Sequence, residues 1–146
     1  MQAVIFTGIQ GSGKTTFYAE RFLKTHLRIS LDMLKTRNKE RLFLQACLAT
    51  GQKLVVDNTN PTAAERKKYI DAAREARFEV IGYFFNATIP EAIERNGRRI
   101  GKEAVSEIGI RATYKKLEPP TLQEGYDGLF EVQIIDNGYS LRKIGE

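Results

Sequence analysis

The chain has 146 residues, the size of one domain with a single core, and 42% hydrophobic with 28% charged residues excludes a disordered or coiled-coil chain. No apolar run approaches the roughly 20 residues that a membrane span needs, and the opening MQAVIFTG lacks the basic start and apolar core of a secretory signal. Lys and Arg number 23 against 18 Asp and Glu, and the resulting net charge of +5 favours an anionic partner such as ATP or a nucleic acid. A lone cysteine, Cys47, cannot form an internal disulfide, and its LFLQACLA setting predicts a buried helix position. The expectation is a cytoplasmic protein with no membrane partner.

Apolar runs of strand length alternate with longer amphipathic stretches. The first run, AVIFT at 3–7, leads straight into Gly8-Ile9-Gln10-Gly11-Ser12-Gly13-Lys14-Thr15, a complete G-x-x-x-x-G-K-[ST] between a predicted strand and a helix starting near Lys14. A second strand, LRISL at 27–31, ends where a helix starts near Asp32. The third, KLVVD at 53–57, stops abruptly in Asn58-Thr59-Asn60-Pro61, and the fourth is FEVIGYFF at 78–85. Helices follow these from Thr62 and Thr88, each with a glutamate three residues on, the spacing of a capping box. After a basic run from Ile93 to Lys102 come a helix near Lys102, a loop at 119–128 and a fifth strand, LFEVQII at 129–135. This alternation predicts an α/β domain over residues 1–146, with five parallel strands and helices on both faces.

The glycine-rich turn dictates the first piece of chemistry. Consecutive backbone amides curl around phosphate oxygens and the helix that follows offers its positive dipole end. Gly8, Gly11, Ser12, Gly13, Lys14, Thr15 and Thr16 are therefore the predicted nucleotide-binding residues, with Lys14 on the β and γ phosphates and the Thr15 hydroxyl on Mg²⁺. Asp32, at the carboxyl end of a parallel strand, either takes a proton from an attacking hydroxyl or caps the helix that follows. Lys35, one turn on, either holds an acceptor phosphate or is solvated. Asp57 either helps to hold Mg²⁺ or belongs to a turn, with Asn58, Thr59 and Asn60 as neutral acceptor-binding groups beside it. Arg111, Lys115 and Lys116 around Tyr114 either meet an anionic strand or face water, with water favoured, and His26, following a predicted helix end, reads as a dipole or surface residue rather than a catalytic one.

GIQGSGKTTF, ISLD, VVDNTNPTAAER and FFNATIPEAIERNGRRIG, in that order, resemble the kinase module of the polynucleotide 5′-hydroxyl kinase family, the P-loop kinases of nucleic-acid end repair. The resemblance implies an adenylate-kinase-like fold with a small lid near 96–103, and transfer of the ATP γ-phosphate to a 5′-OH end with Mg²⁺ as cofactor. It also implies Asp32 as general base, Lys35 on the acceptor phosphate, and Asp57, Asn58, Thr59 and Asn60 around the acceptor and metal. Arg99 would be the lid arginine on the transferring phosphoryl, with Arg95 second, on the nucleotide. One departure is Lys35, where the family's best-known member has arginine, so that a point charge replaces a bidentate grip. The same motifs fit small P-loop kinases acting on a metabolite, sugar or nucleoside, and a nucleotide-binding switch or ATPase module is a more distant alternative.

Overall fold

The computed structural model describes residues 1–97, 106–136 and 138–145. Among the described residues six strands, β1 (Gln2–Thr7), β2 (Leu27–Ile29), β3 (Leu54–Val56), β4 (Glu79–Phe85), β5 (Gly128–Ile135) and β6 (Gly138–Lys143), form one sheet in the order β2-β3-β1-β4-β5-β6. The five expected strands run parallel to one another. A sixth, β6, extends the sheet antiparallel to β5, with Phe130 opposite Lys143 and Ile135 opposite Gly138.

Period-two alternation sends each central strand into two cores. Ala3 and Ile5 of β1 pack with Ile29, Leu54, Val56, Tyr69 and Ile70 on one face. Val4 and Phe6 pack with Phe17, Tyr18, Phe22, Val55 and Tyr83 on the other. The helices are α1 (Lys14–Arg21), α2 (Leu31–Leu34), α3 (Arg37–Thr50), α4 (Ala63–Glu75), α5 (Ile89–Asn96) and α6 (Glu107–Lys116); α3 and α4 pack on the first core and α1 on the second, while Ala92 of α5 and Ile110 of α6 pack with Ile9 in a third cluster. Cys47 is buried in the first core, as its helix position predicts.

Local signals set most helix starts. Thr88 and Glu91 close a full capping box on α5, whereas Thr62 caps α4 by accepting from the Glu65 amide. The helix expected near Asp32 is two helices, because Lys35 takes φ 75° and ends α2 before α3 begins at Arg37. Asp32 is not the cap of its helix, which starts one residue earlier with Ser30 at the N-cap position. The helix expected near Lys102 is described from Glu107, with Ser106 as cap. Lys102 itself lies outside the described residues. His26 is not on the surface: it is buried beside Phe22 just after α1 and meets Thr25 Oγ1 through Nδ1 and Gln2 Oε1 through Nε2, both at 2.7 Å. Arg111 pairs with Glu107, and Tyr114, Lys115 and Lys116 face water. Among the described residues no helix is long and apolar enough to cross a membrane.

Candidate nucleotide and acceptor site

The site gathers at the carboxyl ends of β1, β2 and β3 from three segments, the last two of them consecutive in sequence. The first is the turn from Gly8 to Gly13. Gly11 and Gly13 hold φ of 78° and 97°, a region that disfavours any side chain, and a Cβ on Gly11 would stand 2.3 Å from the Ala92 carbonyl oxygen of α5. Helix α1 starts at Lys14 with no capping side chain and no acidic residue in its first turn, so its amides and positive dipole end are left for an outside anion. Lys14 is buried and donates to the carbonyls of Gly8 and Ile9, both at 2.9 Å. Ser12 is buried in the turn, and Thr15 and Thr16 are exposed on the first turn of α1. Arg95 reaches back from α5 to donate to the Gly11 carbonyl at 3.2 Å.

The second segment is the end of β3. The Thr15 hydroxyl donates to Asp57 Oδ2 at 3.1 Å, across 42 residues of sequence. A hydroxyl and a carboxylate so placed are the hard oxygen donors that Mg²⁺ takes alongside water and phosphate oxygens, so these residues fit the ion. Among the described residues no group of three or more His, Cys, Asp and Glu is placed to hold a metal ion. Sequence reasoning missed a third member. Arg28 of β2 donates through Nε to Asp57 Oδ2 at 2.8 Å and through Nη2 to Thr15 Oγ1 at 3.3 Å.

The third segment follows β3 and is fastened inward. Asn58 Oδ1 accepts from the Leu31 amide at 2.9 Å, the first residue of the helix that carries Asp32. Its Nδ2 donates to Glu40 Oε2 at 2.8 Å. Glu40, only 3% exposed, also accepts from Tyr69 at 2.9 Å and from Arg37 at 3.1 Å. Burial first, then the hydrogen bond and charge of Glu40, push the Tyr69 phenol up, so it remains a donor. Thr59 accepts from the Gly8 amide through its carbonyl at 3.0 Å. Asn60, at φ 44°, donates to the Phe6 carbonyl, and its own carbonyl accepts from Arg66 at 2.9 Å. Arg66 is 0% exposed and holds both oxygens of Glu124, at 2.8 and 3.0 Å.

The structure therefore brings Thr15 and Asp57 into contact and ties the Asp32 helix to the same segment through Asn58. The side chains of Asn58 and Asn60 are bonded within the protein, while Asp32 and Lys35 are exposed on and just after α2. Arg99 and the expected lid from residue 98 onward lie outside the described residues. Two of the missed residues had a sequence signal. Glu40 shares a helix stripe with Leu44 and Cys47, and Arg66 with Ile70 and Ala73, each a charge at a core position.

Comparison with known proteins gives the family and the fold. A family model described as an AAA domain matches residues 4–120. The bifunctional polynucleotide phosphatase/kinase of Schizosaccharomyces pombe is 27% identical over 135 residues, which is 90% of this chain and 33% of that protein. This chain thus spans about a third of the length of the curated relatives it matches. A putative kinase from Chloroflexus aurantiacus superposes with a TM-score of 0.66 at 21% identity, over 90% of this chain and 84% of the other. Kti12 from Chaetomium thermophilum, solved with ADP-AlF3, gives 0.63 at 20% identity, over 90% and 88%. The architecture is that of the P-loop kinases.

Proposed function

The chain belongs to the AAA-domain family matched over residues 4–120, and from that premise we propose that it is a kinase moving the γ-phosphate of ATP to the 5′-OH end of a polynucleotide, with Mg²⁺. The observation that carries the kinase reading is the Thr15–Asp57 contact at the mouth of the phosphate turn, with the Asp32 helix moored beside it through Asn58. The choice of a polynucleotide end draws on the name of the yeast relative and on the sequence order around Asp32 and Asp57.

In this reading the amides from Gly8 to Gly13 and the start of α1 hold the phosphates, and Lys14 leaves the Gly8 and Ile9 carbonyls for the β and γ oxygens. Thr15 and Asp57 would hold Mg²⁺, which would supply neutralisation of the phosphate charge. The acceptor oxygen attacks the γ-phosphorus, its proton passes to an Asp32 carboxylate oxygen, and the bond to the β–γ bridging oxygen breaks to leave ADP. Lys35 supplies a point charge for the phosphate next to the acceptor hydroxyl. Arg95 steadies the turn at Gly11, and Arg99 is assigned to the transferring phosphoryl.

The test is transfer of labelled γ-phosphate from ATP with Mg²⁺ to short 5′-OH oligonucleotides of DNA and RNA. Label that disappears in Asp32→Ala, with ATP binding retained, is the expected result. Label appearing only as inorganic phosphate points to an ATPase or switch, and ATP binding without transfer to either oligonucleotide points to a small-molecule acceptor.

A further inference from the structure

Asp57 and Thr15 are the two groups that would hold Mg²⁺, and Arg28 already bonds both. Its Nε lies 2.8 Å from Asp57 Oδ2 and its Nη2 lies 3.3 Å from Thr15 Oγ1. The Asp57 side chain is 2% exposed, so a full negative charge there needs a nearby cation. A guanidinium supplies it, and it uses the carboxylate oxygen and hydroxyl lone pair that an ion would use. Arg28 also sits where it can leave. Its strand is an edge of the sheet, and its side chain, 22% exposed, borders a groove of about 570 Å³ shared with Tyr18, Leu27, Met33, Leu34 and Phe43. Met33 and Leu34 belong to the helix that carries Asp32.

We propose that Arg28 is a resident counter-cation of the metal site: its guanidinium and Mg²⁺ exclude one another on Asp57 and Thr15. Metal-loaded nucleotide turns Arg28 out into the groove beside α2. Arg28 is thus a positioning residue that holds Asp57 and Thr15 together before the metal arrives and yields both oxygens afterwards. The inference rests on the nucleotide-site reading above and extends it to a residue outside the phosphate turn.

The experiment titrates Mg²⁺ against binding of a fluorescent ATP analogue in the native chain, Arg28→Gln and Arg28→Lys. Losing one charge-assisted bond to Asp57 should lower the Mg²⁺ concentration for half-saturation roughly tenfold in Arg28→Gln. Arg28→Lys, which keeps the charge and loses the fork, should fall between the two. An unchanged or raised half-saturation in Arg28→Gln overturns the proposal; should that variant not fold by circular dichroism, Arg28→Lys against the native chain decides it. A native chain that takes up no analogue with Mg²⁺ refutes the nucleotide reading instead. The Arg28 claim is then judged on the Mg²⁺-induced rise in melting temperature without nucleotide, expected to be larger in Arg28→Gln and fatal to the proposal if equal.

Discussion

Asn58 holds the Asp32 helix in place with one side chain, so replacing it with alanine should damage stability and chemistry together. The variant loses a bond from the Leu31 amide at 2.9 Å, worth about 1 kcal/mol, and a bond to the Glu40 carboxylate at 2.8 Å, worth about 2 kcal/mol because its acceptor is charged. The sum is about 3 kcal/mol, which lowers the Tm of a chain this size by roughly 10 °C. Urea unfolding followed by circular dichroism measures the first effect, and a separate comparison of kcat with the KM for ATP measures the second. A loosened α2 misplaces Asp32 and leaves the phosphate turn alone, so kcat should fall well below native while the KM for ATP stays near it. Asn58→Asp sharpens the test, since it keeps the acceptor for Leu31 and faces a second carboxylate toward Glu40. A loss under about 1 kcal/mol in Asn58→Ala with unchanged kcat would refute the mooring argument, because no bond of this kind is so cheap when its partner is buried.

Two further outcomes are expected. Glu124→Ala leaves the fully buried Arg66 without its carboxylate and should cost about 3–5 kcal/mol in chemical denaturation, whereas joint replacement by Arg66→Met and Glu124→Leu should cost much less. For His26, burial first and the charge of Lys53 second hold the imidazole below its ordinary 6.5. The unfolded chain therefore binds a proton that the folded one refuses, and stability falls as pH drops through about 6.5, a slope that His26→Gln should flatten between about pH 7.5 and 5.5 in a series of melting curves.

The parts of this fold that can be read from sequence are those where one physical requirement dominates. Strands buried on both faces, such as Leu54–Val56, must be continuously apolar, and the phosphate turn must place glycine where φ is positive. Strand β6 escapes that reading because Gly138–Lys143 is an edge strand whose last four residues are exposed, leaving no buried face to mark it. The break between α2 and α3 escapes it too. Lys35 turns the chain at φ 75° where glycine or asparagine would have announced the turn. Of the site, Lys14 and Thr15 carry motif spacing and Asp57 stands at the end of an apolar strand, but Arg28 has neither signal: its partners are 13 and 29 residues away, and only the sheet order brings them together.

The 2.3 Å between the Ala92 carbonyl and the place a Cβ would occupy on Gly11 means that helix and turn touch backbone to backbone. With Arg95 bonded to the Gly11 carbonyl a turn further along α5, helix and turn are fastened to each other at two places. Whatever tilts α5 re-aims the amides around a phosphate, and a phosphate that settles among those amides pulls on α5 in return.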